Sequence, residues 1–113
     1  MTKASWIKES FAAVTVCDKD GIIIEMNDKA IETFKNYGGD KLIGKNLYDC
    51  HPGESKNKLR QLMDSRKENV YTIEKNGVKK IIYQAPWHRD GQFGGIVEIS
   101  FEIPREMPHF MRE

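Results

Sequence analysis

The chain has only two cysteines, Cys17 and Cys50, in 113 residues. The opening Met1-Thr-Lys-Ala-Ser-Trp6 lacks the apolar core of a signal peptide. Together these predict free thiols in a reducing cytoplasm rather than a disulfide framework. No apolar run approaches the roughly 18–20 residues a membrane helix needs. Charge of one sign is missing as well: 18 basic and 17 acidic residues leave a formal net charge of +1. A nucleic-acid footprint or a basic membrane-binding stretch is therefore not expected. Repeats and low-complexity tracts are absent, and the length suits one domain with a single modest core.

What is present is a sequence of strand and helix patterns separated by well-marked turns. Residues 3–11 carry Ala4, Ile7 and Phe11 at helical spacing, with Trp6 beside them. Ala13–Cys17 and Ile22–Met26 are β-prone, and Asp18-Lys-Asp-Gly21 between them has the chemistry of a hairpin turn. Asp18 and Asp20 alone do not make a calcium loop, since its third acidic position and closing Glu are missing. Asn27 is placed to cap a helix over 28–37, which Gly38-Gly39 ends. Asp40–Ile43 reads as one or two further helical turns. Ser55 is the expected cap of a helix over 56–67 with Leu59, Leu62 and Met63 on its apolar face. Three strands follow over 70–74, 79–88 and 93–103, joined by Asn76-Gly77 and Asp90-Gly91. In the last, Val97, Ile99, Phe101 and Ile103 alternate with Glu98, Ser100 and Glu102, which predicts a sheet with one buried face. Pro86 fits best near a strand end or on an edge. Strands at both ends and helices between them give an α+β class.

This order of turns resembles a PAS domain over roughly residues 12–103. The likeness is carried by the acidic turn closing on Gly21, by Ile22–Met26 leading into Asn27-Asp-Lys-Ala30, and by Leu42-Ile43-Gly44-Lys45. The final hairpin, Asp90-Gly91 before Gly94-Gly-Ile-Val-Glu-Ile, completes it. Asp49-Cys50-His51-Pro52 ahead of a helix is similar to PAS modules associated with hemerythrin-like domains. The resemblance implies a five-stranded antiparallel sheet in the order 2-1-5-4-3 with short helices on one face. It divides the chain into a cap helix over 1–11, the domain over 12–103 and a tail over 104–113. It also implies sensing of a small molecule, redox state or partner, in services such as regulation of transcription. Output would pass through a homodimer or to a separate signalling protein, with no catalysis.

Candidate ligand contacts are Cys50 and His51 in the turn-rich segment, Lys56 and Lys58 at the following helix start, and Phe34, Met63, Tyr83 and Phe101 as cavity walls. With Tyr71 and Trp87, the aromatic residues of this set are expected to be mostly core, one or two of them lining a cavity. Lys56 and Lys58 near a helix N-terminus predict an anionic group on the ligand. Trp6, Ile7 and Phe11 are the expected dimer contacts. No cofactor is required by the sequence. A covalent flavin is set aside because Leu47, not Cys, follows Asn46, and structural zinc because Cys50 and His51 have no two further ligands at fixed spacing. A haem sensor held by His51 is the redox alternative, and a ligand-free interaction module the other.

Overall fold

A computed structural model of the chain describes residues 5–50 and 54–113, with side chains described for all of these except residues 5, 49, 50, 54 and 55. A short helix α1 (Ser5–Lys8) leads into strands β1 (Ala13–Asp18) and β2 (Ile23–Met26). Helix α2 (Asp28–Thr33) and two 3-10 turns over 35–37 and 39–42 follow, then α3 (Leu47–Cys50) and α4 (Glu54–Ser65). Strands β3 (Asn69–Lys75), β4 (Val78–Arg89) and β5 (Gln92–Ile103) complete one antiparallel sheet in the order β2-β1-β5-β4-β3. That is the expected order. Residues 104–113 form no helix or strand.

The turns behave as their residues dictate. Asn76 and Gly77 have φ of 53° and 78°, Asp90 and Gly91 of 51° and 78°. Paired positive φ is the geometry that joins twisted antiparallel strands in two residues. In the first hairpin the Asp18 carboxylate accepts from the backbone N–H of Asp20 and of Ile22, both at 2.9 Å. Its acidity thus serves the turn itself.

Asn27 does more than cap α2. Its Oδ1 accepts from the Ala30 N–H at 3.0 Å and from the Val14 N–H at 2.9 Å. Its Nδ2 donates to the carbonyls of Ile7 at 2.9 Å and Ala12 at 2.8 Å. One side chain, 3% exposed, ties together α1, β1 and α2. The expected helix over 28–37 is true α-helix only to Thr33 and tightens to 3-10 at Lys35–Tyr37. Helix α4 begins at Glu54, so Ser55 lies inside it rather than capping it, and ends where Arg66 turns to φ 55°.

The helices cover the sheet face that carries Ala13, Cys17 and Ile96. Ala30, Ile31, Phe34 and Leu42 pack over Ala13, Ile23 and Met26, while Leu47, Leu62 and Met63 pack over Cys17 and Ile96. This corrects the sequence reading of β5. Val97, Ile99, Phe101 and Ile103 share the opposite face, away from the helices, and Phe101 is 43% exposed.

A clasp fixes β4, β5 and β1 against one another. The Trp87 indole N–H reaches over β5 and donates to the Cys17 carbonyl at 2.9 Å. Gly94 lies under the indole, where a Cβ would collide with the ring, and Gly95 (φ +147°) lies against Cys17, where a Cβ would collide with its carbonyl. Pairing of β3 with β4 stops at Gln84, so Pro86 occupies a stretch of β4 with one unpaired flank. The sequence expectation for this proline is met.

Candidate functional site

The segment after the 3-10 turns is laid along β2. Gly44 N–H donates to the Ile23 carbonyl at 2.7 Å, Ile23 N–H to Lys45 at 2.9 Å, and Leu47 N–H to Gly21 at 2.8 Å. The Asn46 carboxamide oxygen then accepts from the Tyr48 N–H at 2.8 Å, closing the chain into α3. This anchoring sends α3 and α4 back over the sheet instead of away from it.

Between these helices and the sheet lies a cavity of about 550 Å³. Its floor is Thr15, Cys17, Gln84, Ile96 and Glu98; β2 adds Ile23 and Met26. Phe34, Tyr37 and Leu42 form one wall, and Leu47, Leu59 and Leu62 the roof. Most of this lining is apolar, with the polar groups on the floor and the Tyr37 phenol in the wall, as in small-molecule sites generally. A shallower hollow shares Leu59, Leu62, Gln84 and Glu98 with the cavity, and extends under α4 to Lys58, Lys67, Glu68 and Tyr71.

The polar floor is ordered. Asn69 Nδ2 donates to Gln84 Oε1 at 2.9 Å, and Gln84 Nε2 donates to Glu98 Oε1 at 2.8 Å. Burial raises the Tyr71 phenol above its usual pKa, and the charge of Glu98 adds to the shift. Burial likewise raises the Cys17 thiol, keeping it neutral and unreactive.

The expected site residues scatter. Phe34 lines the cavity and Lys58 borders the outer hollow. Met63, 5% exposed, packs with Cys17 and Ile96 behind the lining. Lys56 borders neither space. With α4 starting at Glu54, Lys58 falls in the second turn of the helix, past the N-terminal N–H groups expected to help it hold an anion. Tyr83 and Phe101 stand on the opposite sheet face, because each is one residue out of phase with Gln84 and Glu98. The Cys50 side chain and His51 lie outside the described residues. Trp6 is 75% exposed and Phe11 96%, while Ile7 is partly buried. Thr15, Gln84 and Glu98 were not foreseen as site residues. Among the described residues, no group of three or more His, Cys, Asp or Glu side chains could hold a metal ion. No described helix is long and apolar enough to cross a membrane.

Known proteins resemble the chain in fold. A PAS domain from Colwellia psychrerythraea superposes with a TM-score of 0.64 at 22% identity, covering 92% of this chain and 96% of that one. A sensory box sensor histidine kinase from Vibrio cholerae gives 0.61 at 16%, covering 89% and 87%. The Aer2 receptor of Vibrio cholerae, a dual PAS-heme oxygen sensor, gives 0.61 at 14%, covering 82% and 95%. No curated protein sequence matches the chain. The PAS domain family model matches residues 11–103. With the strand order and the helical layer already in place, the chain belongs to the PAS domain family, a family of sensory domains.

Proposed function

We propose that this PAS domain is a sensor that binds a small, mostly apolar molecule between its sheet and its helices and signals occupancy to a second copy or a separate protein. The cavity is the observation that carries this reading: its volume of about 550 Å³ falls within the roughly 300–1,000 Å³ of ordinary ligand sites. The walls come from β2, Phe34 at the C-terminal cap of α2, the 3-10 turns, α3 and α4, so an occupant touches several helical elements at once. Filling it would favour one arrangement of that layer over another, which is the way a ligand shifts a conformational equilibrium.

Native mass spectrometry of the purified protein tests the reading. A small-molecule adduct, lost on denaturation and missing from a cavity-filling Leu62→Trp variant, is the expected result. An adduct-free chain whose melting temperature responds to no added apolar molecule would sink it. The haem alternative rests on His51, and a Soret band in the purified protein decides it.

Output through a second copy is supported by apolar surface. Trp6 and Phe11 project from the N-terminal segment, and Val70 and Phe101 lie 50% and 43% exposed on the outer sheet face. Of these, Phe11 and Phe101 border one surface hollow, and exposed apolar groups so gathered favour a protein partner over bare solvent. Sedimentation equilibrium checks it: a dimer that Phe11→Ser and Trp6→Ser together dissociate is expected, and a concentration-independent monomer overturns it.

A further inference from the structure

The cavity floor holds a carboxylate, Glu98, beside the apolar Ile96 and Cys17. Thr15, Glu98, Gln84 and Asn69 are cross-strand neighbours in one row: Thr15 opposite Glu98, Glu98 opposite Gln84, Gln84 opposite Asn69. The direction of the two hydrogen bonds in that row follows from chemistry. A carboxylate only accepts, so Gln84 must present its amide N–H₂ to Glu98. The Gln84 oxygen is then left for Asn69, which must donate in turn. Both amides therefore point their donors toward Glu98, and each bond polarises the next.

The row ends there with capacity unused. An ionised carboxylate offers about four acceptor sites, and among the described residues Gln84 is the hydrogen-bond partner of Glu98. No Lys, Arg or His is among the described residues lining the cavity. Next to Glu98 on the same face are Ile96, 5% exposed, and, across from it on β1, Cys17, 2% exposed. Glu98 itself is half-buried, so its remaining acceptor positions are within reach of a molecule in the cavity.

We infer that the ligand of this cavity carries a hydrogen-bond donor, an ammonium or hydroxyl group, on an apolar body, with the donor seated on Glu98 and the body against Leu47, Leu59 and Leu62. The inference rests on the proposed reading of the cavity as the ligand site. It also relocates the polar recognition expected from the sequence. Lys58 and Lys67 border the outer hollow, which shares Glu98 and Gln84 with the cavity, whereas among the described residues lining the cavity itself Glu98 is the charged group. An anionic head seated on the cavity floor would be repelled by the Glu98 carboxylate, and a donor head would complete the row.

Three probes that share one eight-carbon chain and differ only in their heads test it: n-octylamine, 1-octanol and octanoate, titrated calorimetrically into the whole chain at fixed ionic strength. The expected order of affinity is amine, then alcohol, then carboxylate. A hydrogen bond to a charged group should set the ends apart by roughly tenfold or more. In Glu98→Gln, which keeps the shape, the amine should lose its advantage over the alcohol while the alcohol still binds. Leu62→Trp should remove all three, placing them in the cavity. Octanoate binding as tightly as the amine, or an amine preference unchanged in Glu98→Gln, overturns the donor assignment and leaves the cavity reading in place. Failure of all three to bind, with no adduct in the native mass spectrum, overturns both.

Discussion

Asn27 in the core and the part-buried Glu98 row at the cavity floor are two polar constructions on one sheet, and they are finished to different degrees. Asn27 accepts two hydrogen bonds and donates two, all to backbone, so its carboxamide has nothing left to offer. The row from Asn69 through Gln84 to Glu98 also runs from side chain to side chain without a break, yet it ends facing a cavity. Polar groups under a fold are tolerated when satisfied. A complete set marks a structural joint, and an open end beside empty volume marks a place for something else. Both rest on the same sheet, so the difference lies in what each still lacks.

Breaking the joint should have the largest effect. Asn27→Ala removes the cap of α2 and strands the Val14 N–H and two carbonyls, at a cost of about 3 kcal/mol or more and a melting temperature lower by roughly 10 °C or more. Urea denaturation measures it, and a loss below about 1 kcal/mol would mean that water replaces the joint. Asn27→Asp divides the joint in half. It keeps both acceptor bonds but turns an oxygen toward the carbonyls of Ile7 and Ala12, so a loss of about 2 kcal/mol is expected, with α1 released first. Hydrogen exchange on residues 6–12 would show whether that segment frees itself ahead of the sheet.

Changing the row should do the reverse: Glu98→Gln should alter stability by less than about 1 kcal/mol, because the residue bonds a single neighbour, while altering ligand preference. If it destabilised as much as Asn27→Ala, the row would be a second joint and the contrast would fail. Alkali sharpens the comparison at the floor itself. Burial raises the Cys17 thiol above its ordinary value of 9.0. The folded state thus holds its proton longer than the unfolded one, and stability is full below that value and falls as pH rises past it. Cys17→Ala should flatten this fall in urea melts, and an unchanged slope would refute the assignment. Smallest of all, Lys8→Ala should leave the melting temperature within error, since its ion pair with Asp28 at 3.0 Å is exposed.

Much of the architecture could be read from turn residues. Asn76-Gly77 and Asp90-Gly91 fixed two hairpins and Asn27 a helix start, while the sheet order was implied by the likeness to a PAS domain. Alternation in β5 showed correctly which residues share a face, but it carries no label for the face that receives the helices. Val97, Ile99 and Phe101 looked like the core because they are the more apolar set. The helices instead cover the set with Glu98 in it, since that side of β1 and β2 supplies Ala13, Cys17, Ile23 and Met26. Tyr83, which pairs across the strands with Ile99, and Phe101 itself, both candidates for core or cavity wall as aromatic residues, lie with the outer set.

The polar row was hidden by a single irregularity. Counting back from the Asp90-Gly91 turn, where Arg89 faces Gln92, sets Gln84 opposite Val97. A register shift between Trp87 and His88 moves it opposite Glu98. Nothing in the local composition announces that bulge, although the Gly94-Gly95 pair hints at it. By contrast the regular hairpin at Asn76-Gly77 sets Asn69 opposite Gln84 by simple counting. Half of the row could have been found.

The clasp of Trp87 over Gly94 and Gly95 has a consequence for how this chain can drift. An indole that reaches the Cys17 carbonyl passes over two positions where any side chain would collide. The three residues are therefore one heritable unit. Saturation mutagenesis should find positions 94 and 95 nearly closed to every other amino acid while the tryptophan stands. Shortening that ring to alanine should relax position 94, whereas position 95, held by the backbone oxygen itself, should stay shut.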